Sequence, residues 1–212
     1  MPIVTSFNPN GRQEIKQAIS YPDYALLKAK LQYIMQLDKH AGADGKYVIR
    51  STYFDNFANK VLNEKKEGYI NRDKYRVRIY GQSSAIINLE RKSKRNNLTF
   101  KTKCAIAQAE YEKMRLGDIS WMEEDERGLI RDLYQEMSYS QLRPTTVVDY
   151  EREAYIYPFG NVRVTFDSKV QSSLRNTDMF NPSLPLVDVL EQNLVILEVK
   201  YDDYLPDIIK YL

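Results

Sequence analysis

Charged residues recur at every second position in five short stretches of this chain. They are Arg12, Glu14 and Lys16 in RQEIK, Lys74, Arg76 and Arg78 in KYRVRIY, Glu90, Lys92 and Lys94 in LERKSK, Arg163 and Asp167 in VRVTFD with the polar Thr165 at the alternate position between them, and Glu198 and Lys200 in ILEVK. Side chains on a β-strand alternate between two faces, so each stretch sets its charges along one side of a sheet. Arginines grip phosphate oxygens through forked donors, and lysines act as point charges. Carboxylates set among them are hard oxygen ligands of the kind Mg²⁺ or Mn²⁺ takes. These types at this spacing fit a polyanion held together with a divalent cation.

Any one stretch could equally be a solvated sheet face, which antiparallel sheets commonly have. Each glutamate could likewise do no more than pair with a neighbouring cation. The opposite faces decide between these readings. Val77 and Ile79, then Val162, Val164 and Phe166, then Val195, Leu197 and Val199 are apolar, and the helical stretches near 21–37 and 123–138 carry apolar stripes that need a sheet to cover. If those surfaces meet, the charged faces meet one another across a lumen. Like charges there repel by about 4 kcal/mol per close pair at an effective dielectric near 20, which a bound polyphosphate would offset. Glu198 interrupts an otherwise apolar strand and is the leading metal ligand.

The elements that must position these residues alternate strands with helical insertions. RQEIKQAIS reads as a strand, followed by a helix from Tyr21 to about Leu37. YVIRSTYFD is a strand, and Asn56 opens a short charged helix through about Lys66. KYRVRIYG, SAIINLERKS and NLTFKTKCAI form an antiparallel meander with turns at Gly81-Gln82-Ser83-Ser84 and Arg95-Asn96-Asn97. The segment from about Ala107 to Tyr139 is helical. PTTVVDYEREAYI, NVRVTFDSKV and LVILEVKYD are the remaining strands, and 171–186 is a loop. The fold class expected is α+β, with about eight antiparallel strands closing into a barrel and helices packed outside.

Composition narrows the function classes. The 212 residues, 43% of them hydrophobic, suffice for one large domain. A net charge of only +2, from 31 basic and 29 acidic residues, argues against general nucleic-acid binding, so any anion site must come from local concentration of charge. The start MPIVTSFNPN shows no leader pattern and no long apolar run follows, so a soluble cytoplasmic chain is expected. Cys104, the one cysteine, reads as a buried apolar residue, and His40 as a loop residue. Tyr53, Tyr69, Tyr75 and Tyr80 read as packing.

YVIRSTYFDN, KYRVRIYG, LERKSK, VVDYEREAY, NVRVTFDSKV and ILEVKYDDYLP, in that order from about Arg12 to Leu205, resemble the VTC domain. This is the polyphosphate polymerase branch of the triphosphate tunnel metalloenzymes. The resemblance implies an antiparallel barrel with a basic lumen, in which the γ-phosphate of ATP passes to a growing polyphosphate chain with a divalent metal, usually Mn²⁺. It places Lys16, Arg76, Arg78, Lys92, Arg152 and Arg163 on phosphates, with Lys94 and Lys103 beside them, and Glu198 on the metal. Glu14 and Glu90 match acidic positions of related tunnel enzymes and join the expected metal ligands. Arg12 and Lys200, on the same strand faces, complete the expected substrate contacts. No regulatory SPX-type domain precedes the barrel, which suggests a bacterial form, and the chain is expected to be one domain, 1–212, shortened at its C-terminus. ATP and inorganic polyphosphate or triphosphate are the expected partners, nucleic acid is not, and a membrane protein receiving the product is compatible. Inorganic triphosphate hydrolysis on the same scaffold and non-catalytic polyphosphate binding are the alternative activities.

Overall fold

The computed structural model describes residues 6–7, 11–81 and 83–212. Gln82 of the first meander turn, and most of the N-terminal decapeptide read for a leader, lie outside them.

Eleven strands form one antiparallel sheet: β1 Ser6–Phe7, β2 Gln13–Ser20, β3 Gln36–Leu37, β4 Lys46–Asp55, β5 Asn71–Tyr80, β6 Ser83–Arg95, β7 Leu98–Ala105, β8 Arg143–Tyr157, β9 Val162–Ser172, β10 Val187–Asp188 and β11 Leu194–Tyr201. Eight of them are long, as expected, and three are two-residue pairings. The helices are α1 Tyr21–Ile34, α2 Lys60–Lys66, α3 Gln108–Leu116, α4 Gly128–Tyr139 and α5 Asp207–Lys210. The spatial order is β1-β7-β6-β5-β4-β8-β9-β11-β2, with β10 on β9 and β3 on β8. The closed barrel expected from the sequence is not formed, because the hydrogen-bonded ladder is not continuous around this circuit. Its two ends are joined by a single bridge, in which Arg12 and Thr99 exchange backbone hydrogen bonds of 3.1 and 3.2 Å. Gly11 permits this approach, because a Cβ there would fall 2.6 Å from Leu98 Cβ.

Period-two alternation separates the faces. Val77, Ile79 and Leu89 pack outward against Tyr111 and Met114 of α3 and Ile130, Leu133 and Met137 of α4. Val162, Val164, Phe166 and Val195 pack against Tyr24 and Leu31 of α1, with Leu197 and Val199 partly buried beside them. Two apolar cores therefore cover the outside of one sheet, and the charged faces turn inward.

Two helix boundaries differ from the sequence reading. α1 is capped at its start by Ser20, whose Oγ accepts from the Asp23 amide at 3.3 Å, but it stops at Ile34 because Gln36 and Leu37 pair with Ile156 and Tyr155 of β8. α2 begins at Lys60, four residues after Asn56. The Asn56 side chain accepts from the amides of Ala58 and Lys60, holding the intervening residues in a turn, while Asp55 accepts from the amides of Val61 and Leu62. No helix among the described residues is long and apolar enough to cross a membrane.

Candidate functional site

The inward faces enclose a cavity of about 910 Å³. Fourteen lysines and arginines line it against three carboxylates, Glu14, Asp167 and Glu198, so a net charge of +2 for the chain coexists with a strongly cationic lumen. Lys16, Arg76, Arg78, Lys92, Arg152, Arg163, Arg12, Lys94, Lys103, Lys200, Glu14 and Glu198 all line it, from strands far apart in sequence. Of the thirteen residues singled out by sequence, only Glu90 sits behind its wall.

Register explains the convergence. Lys74, Arg76 and Arg78 of β5 lie opposite Lys92, Glu90 and Asn88 of β6, and Lys92 and Glu90 lie opposite Lys101 and Lys103 of β7. Across the seam, Lys92 Nζ donates to Glu14 at 2.6 and 2.7 Å. On the far wall Glu198 pairs in register with Lys16 and Thr165, and Lys200 with Glu14 and Arg163.

Most cations are held by partners that fix their direction. Arg76 donates through Nε to Glu90 at 2.7 Å and through Nη1 to the Tyr53 hydroxyl at 3.3 Å. Arg78 donates to Ser51 Oγ at 3.0 Å and to the Tyr150 hydroxyl at 2.8 Å. Arg152 forks onto Asp167 at 2.6 and 2.7 Å and reaches Glu198 at 3.5 Å. Arg163 donates to Asp38 at 2.7 Å and to Tyr47 at 2.9 Å. Lys16, Lys74, Lys94 and Lys103 have no carboxylate partner among the described residues. Fixed forks and free lysines together make a cationic cage in which an entering anion would meet donors already oriented.

The structure adds lining residues that sequence reasoning passed over, Tyr47, Lys65, Arg72 and Tyr150, and places Lys101 on the wall together with Lys103. Tyr53 and Tyr80, read as packing, also line the cavity, whereas Tyr75 is core and Tyr69 is exposed. Tyr47, Ile49, Ser51 and Tyr53 alternate through YVIRSTYFD, which was the available signal. Hydroxyls facing a lumen and tyrosines packed on a core share that pattern. Burial raises the Tyr53 phenol, but Arg76 and Arg78 outweigh it and bring it down to about 8. Cys104 is buried as expected, and burial pushes its thiol up to about 11.

The three expected metal ligands do not form one centre. Among the described residues no three carboxylate, histidine or cysteine side chains gather, and Glu90 is surrounded by cations. Glu14 and Glu198 do adjoin. Burial raises Glu198, yet the nearby Glu14 carboxyl, Lys200, Arg152 and Lys16 together hold it well below the usual carboxylate range. Adjacent carboxyls repel when both are ionised, and a divalent cation between them relieves that repulsion, so this pair fits a hard cation.

Three lysines are poised to report an anion. Burial, with the charges of Lys65 and Arg72 nearby, brings Lys74 down to about 8. Burial also brings Lys101 and Lys200 down to about 8, against the pull of Glu90 and Glu198. An anion selects their charged forms, so its binding takes up protons where they are partly neutral. Tripolyphosphate affinity is expected to fall about tenfold or more between pH 7 and pH 9.5, because each required lysine contributes up to one decade per pH unit above its pKa. Stability of the ligand-free protein should move the other way. Between about 8 and the ordinary 10.5 the folded state binds fewer protons than the unfolded one, so unfolding free energy rises with pH in that window. Calorimetric titration and thermal melts across the range check both signs, and an affinity independent of pH would mean these lysines do not meet the anion.

A family model described as the VTC domain matches residues 11–212. No curated protein matches the chain. Among solved structures it is similar to a Bacillus halodurans protein named as a candidate adenylate cyclase, with 15% identity and a TM-score of 0.52, covering 90% of this chain and 81% of that one. A Hippeastrum protein, named as a candidate adenylyl cyclase with a dominant triphosphatase activity, is 12% identical with a TM-score of 0.49, covering 90% of this chain and 79% of that one. The likeness to the Bacillus protein shows the fold, an α+β arrangement of the triphosphate tunnel type.

Proposed function

Because the chain belongs to the VTC domain family, we propose that it is a metal-dependent phosphotransferase that moves the γ-phosphate of ATP onto a growing polyphosphate chain inside the lumen. The observation that carries this reading is the enclosed cavity itself, with fourteen cations and only three carboxylates on its wall.

The residues divide the work. Phosphoryl transfer passes through a loose transition state whose charge lies on phosphoryl and leaving oxygens, so the protein supplies alignment and fixed positive charge. Arg76, Arg78, Arg152 and Arg163, each steadied by the partners above, orient the phosphates. Lys16, Lys74, Lys94 and Lys103 supply mobile point charges along the chain, and Lys92, tied to Glu14, adds a held one. The bond from the γ-phosphorus to the β,γ-bridging oxygen breaks, a bond to a terminal oxygen of the acceptor chain forms, and ADP leaves. Glu198 and Glu14 would hold Mn²⁺ or Mg²⁺, which would supply Lewis-acid stabilisation of the charge on the phosphates.

Incubation with ATP and Mn²⁺ or Mg²⁺, with products separated by length, tests the reading. Long chains are the expected product. Free phosphate alone would make water the acceptor and the protein a triphosphatase, and no turnover with retained polyphosphate binding would leave a binding module.

A further inference from the structure

Glu90 is 1% exposed, yet three cations converge on its carboxylate. Arg76 meets Oε2 through Nη2 at 2.6 Å and Nε at 2.7 Å, Arg78 Nη1 lies 3.9 Å from the same oxygen, and Lys101 Nζ lies 2.5 Å from Oε1. Both oxygens are thus engaged. It belongs to no group of three or more acidic, histidine or cysteine side chains that could hold a metal ion among the described residues. We infer that Glu90 is the positioning residue of the phosphate cage, an internal counter-ion that aims Arg76 into the lumen and offsets its repulsion with Arg78, and that it takes no part in holding the metal. The inference rests on reading the cavity as a phosphate site.

The geometry shows how one carboxylate does this. By occupying Nε and Nη2 of Arg76, Glu90 leaves Nη1 on the lumen side with Tyr53. Arg78 is fixed by Ser51 and Tyr150 on its other donors, so Glu90 lies between the two guanidinium groups and offsets their mutual repulsion. Lys101, on the neighbouring strand, is kept charged by the same contact, since burial alone pulls it down. Without Glu90, Lys101 sheds its proton more readily, Arg76 loses the acceptor that directs its guanidinium, and its repulsion with the anchored Arg78 is no longer offset. The lumen then gains little net charge and loses its alignment.

This gives the inference a sign of its own. On charge alone, removing a carboxylate beside an anion site tightens anion binding. We expect the reverse: Glu90→Gln should weaken tripolyphosphate binding about tenfold or more in metal-free buffer, as for the loss of the charge-assisted hydrogen bonds that orient the Arg76 guanidinium. Mn²⁺ affinity should be unchanged. Glu90→Asp keeps the charge but withdraws the carboxylate by one methylene, and should show an intermediate loss. It also carries the test if the Gln variant fails to fold, because an unaltered affinity in the Asp variant would overturn the inference. Equal or tighter metal-free binding by Glu90→Gln would overturn it too, and so would a loss confined to Mn²⁺-dependent binding. Failure of the wild-type chain to bind tripolyphosphate would instead strike at the phosphate site itself.

Discussion

Glu198→Gln is expected to lower metal-dependent turnover about 1000-fold, equivalent to about 4 kcal/mol of transition-state stabilisation when an anionic ligand of a Lewis-acidic cation is lost. The substitution keeps the shape of a side chain that is 3% exposed and removes only its charge. Lys200 at 3.1 Å and Arg152 at 3.5 Å then lose a partner, but Arg152 retains its fork onto Asp167. The fold should therefore survive at neutral pH with a lowered melting temperature. Acid behaviour provides a control. A carboxylate whose folded pKa is depressed contributes stability that is complete above its ordinary value of 4.5 and is lost as pH falls through the folded value. Wild type should lose more stability than the variant on acidification from pH 4.5 downward. Mn²⁺ titrations of turnover in both proteins check the assignment, and equal activity would remove Glu198 from the metal site.

Arg76→Ala and Arg78→Ala are each expected to weaken tripolyphosphate binding by roughly 1.5–3 kcal/mol, about 10- to 150-fold, the range for a charge-assisted hydrogen bond. Their effects on stability should differ. Arg78 is 4% exposed and its loss strands the buried acceptors Ser51 and Tyr150. Arg76 is more accessible, and Glu90 would keep Lys101 when it is gone. Calorimetric affinities alongside melting temperatures separate the two. Undiminished affinity in either variant would mean that the guanidinium does not meet the anion.

Much of this architecture is written locally. Alternation in KYRVRIY, VRVTFD and ILEVK fixes which side chains share a face, and the apolar alternates on the same strands fix which face a helix covers. The same logic correctly buried Cys104. Helix ends were harder to read, because Leu37 continues a 3.6-residue spacing in the chain and yet belongs to a strand pairing with Tyr155. Asn56 resembles a helix start, but its side chain holds a turn.

The sequence by itself determined that charged faces exist, that they carry both arginines and carboxylates, and that they back onto apolar cores. Those properties depend on neighbours two to four residues away. Only the tertiary structure decided which charges meet. Lys92 finds Glu14 across 78 residues and Arg78 finds Tyr150 across 72, because sheet order and the Arg12–Thr99 bridge bring distant strands around one lumen. The division of the three glutamates followed from the same long-range pairing. Glu14 and Glu198 come together because β2 and β11 are adjacent, while Glu90, on β6 between β5 and β7, is enclosed by the cations those strands carry. A carboxylate's role is set by what surrounds it in space, and strand pairing is the interaction that assembles those surroundings.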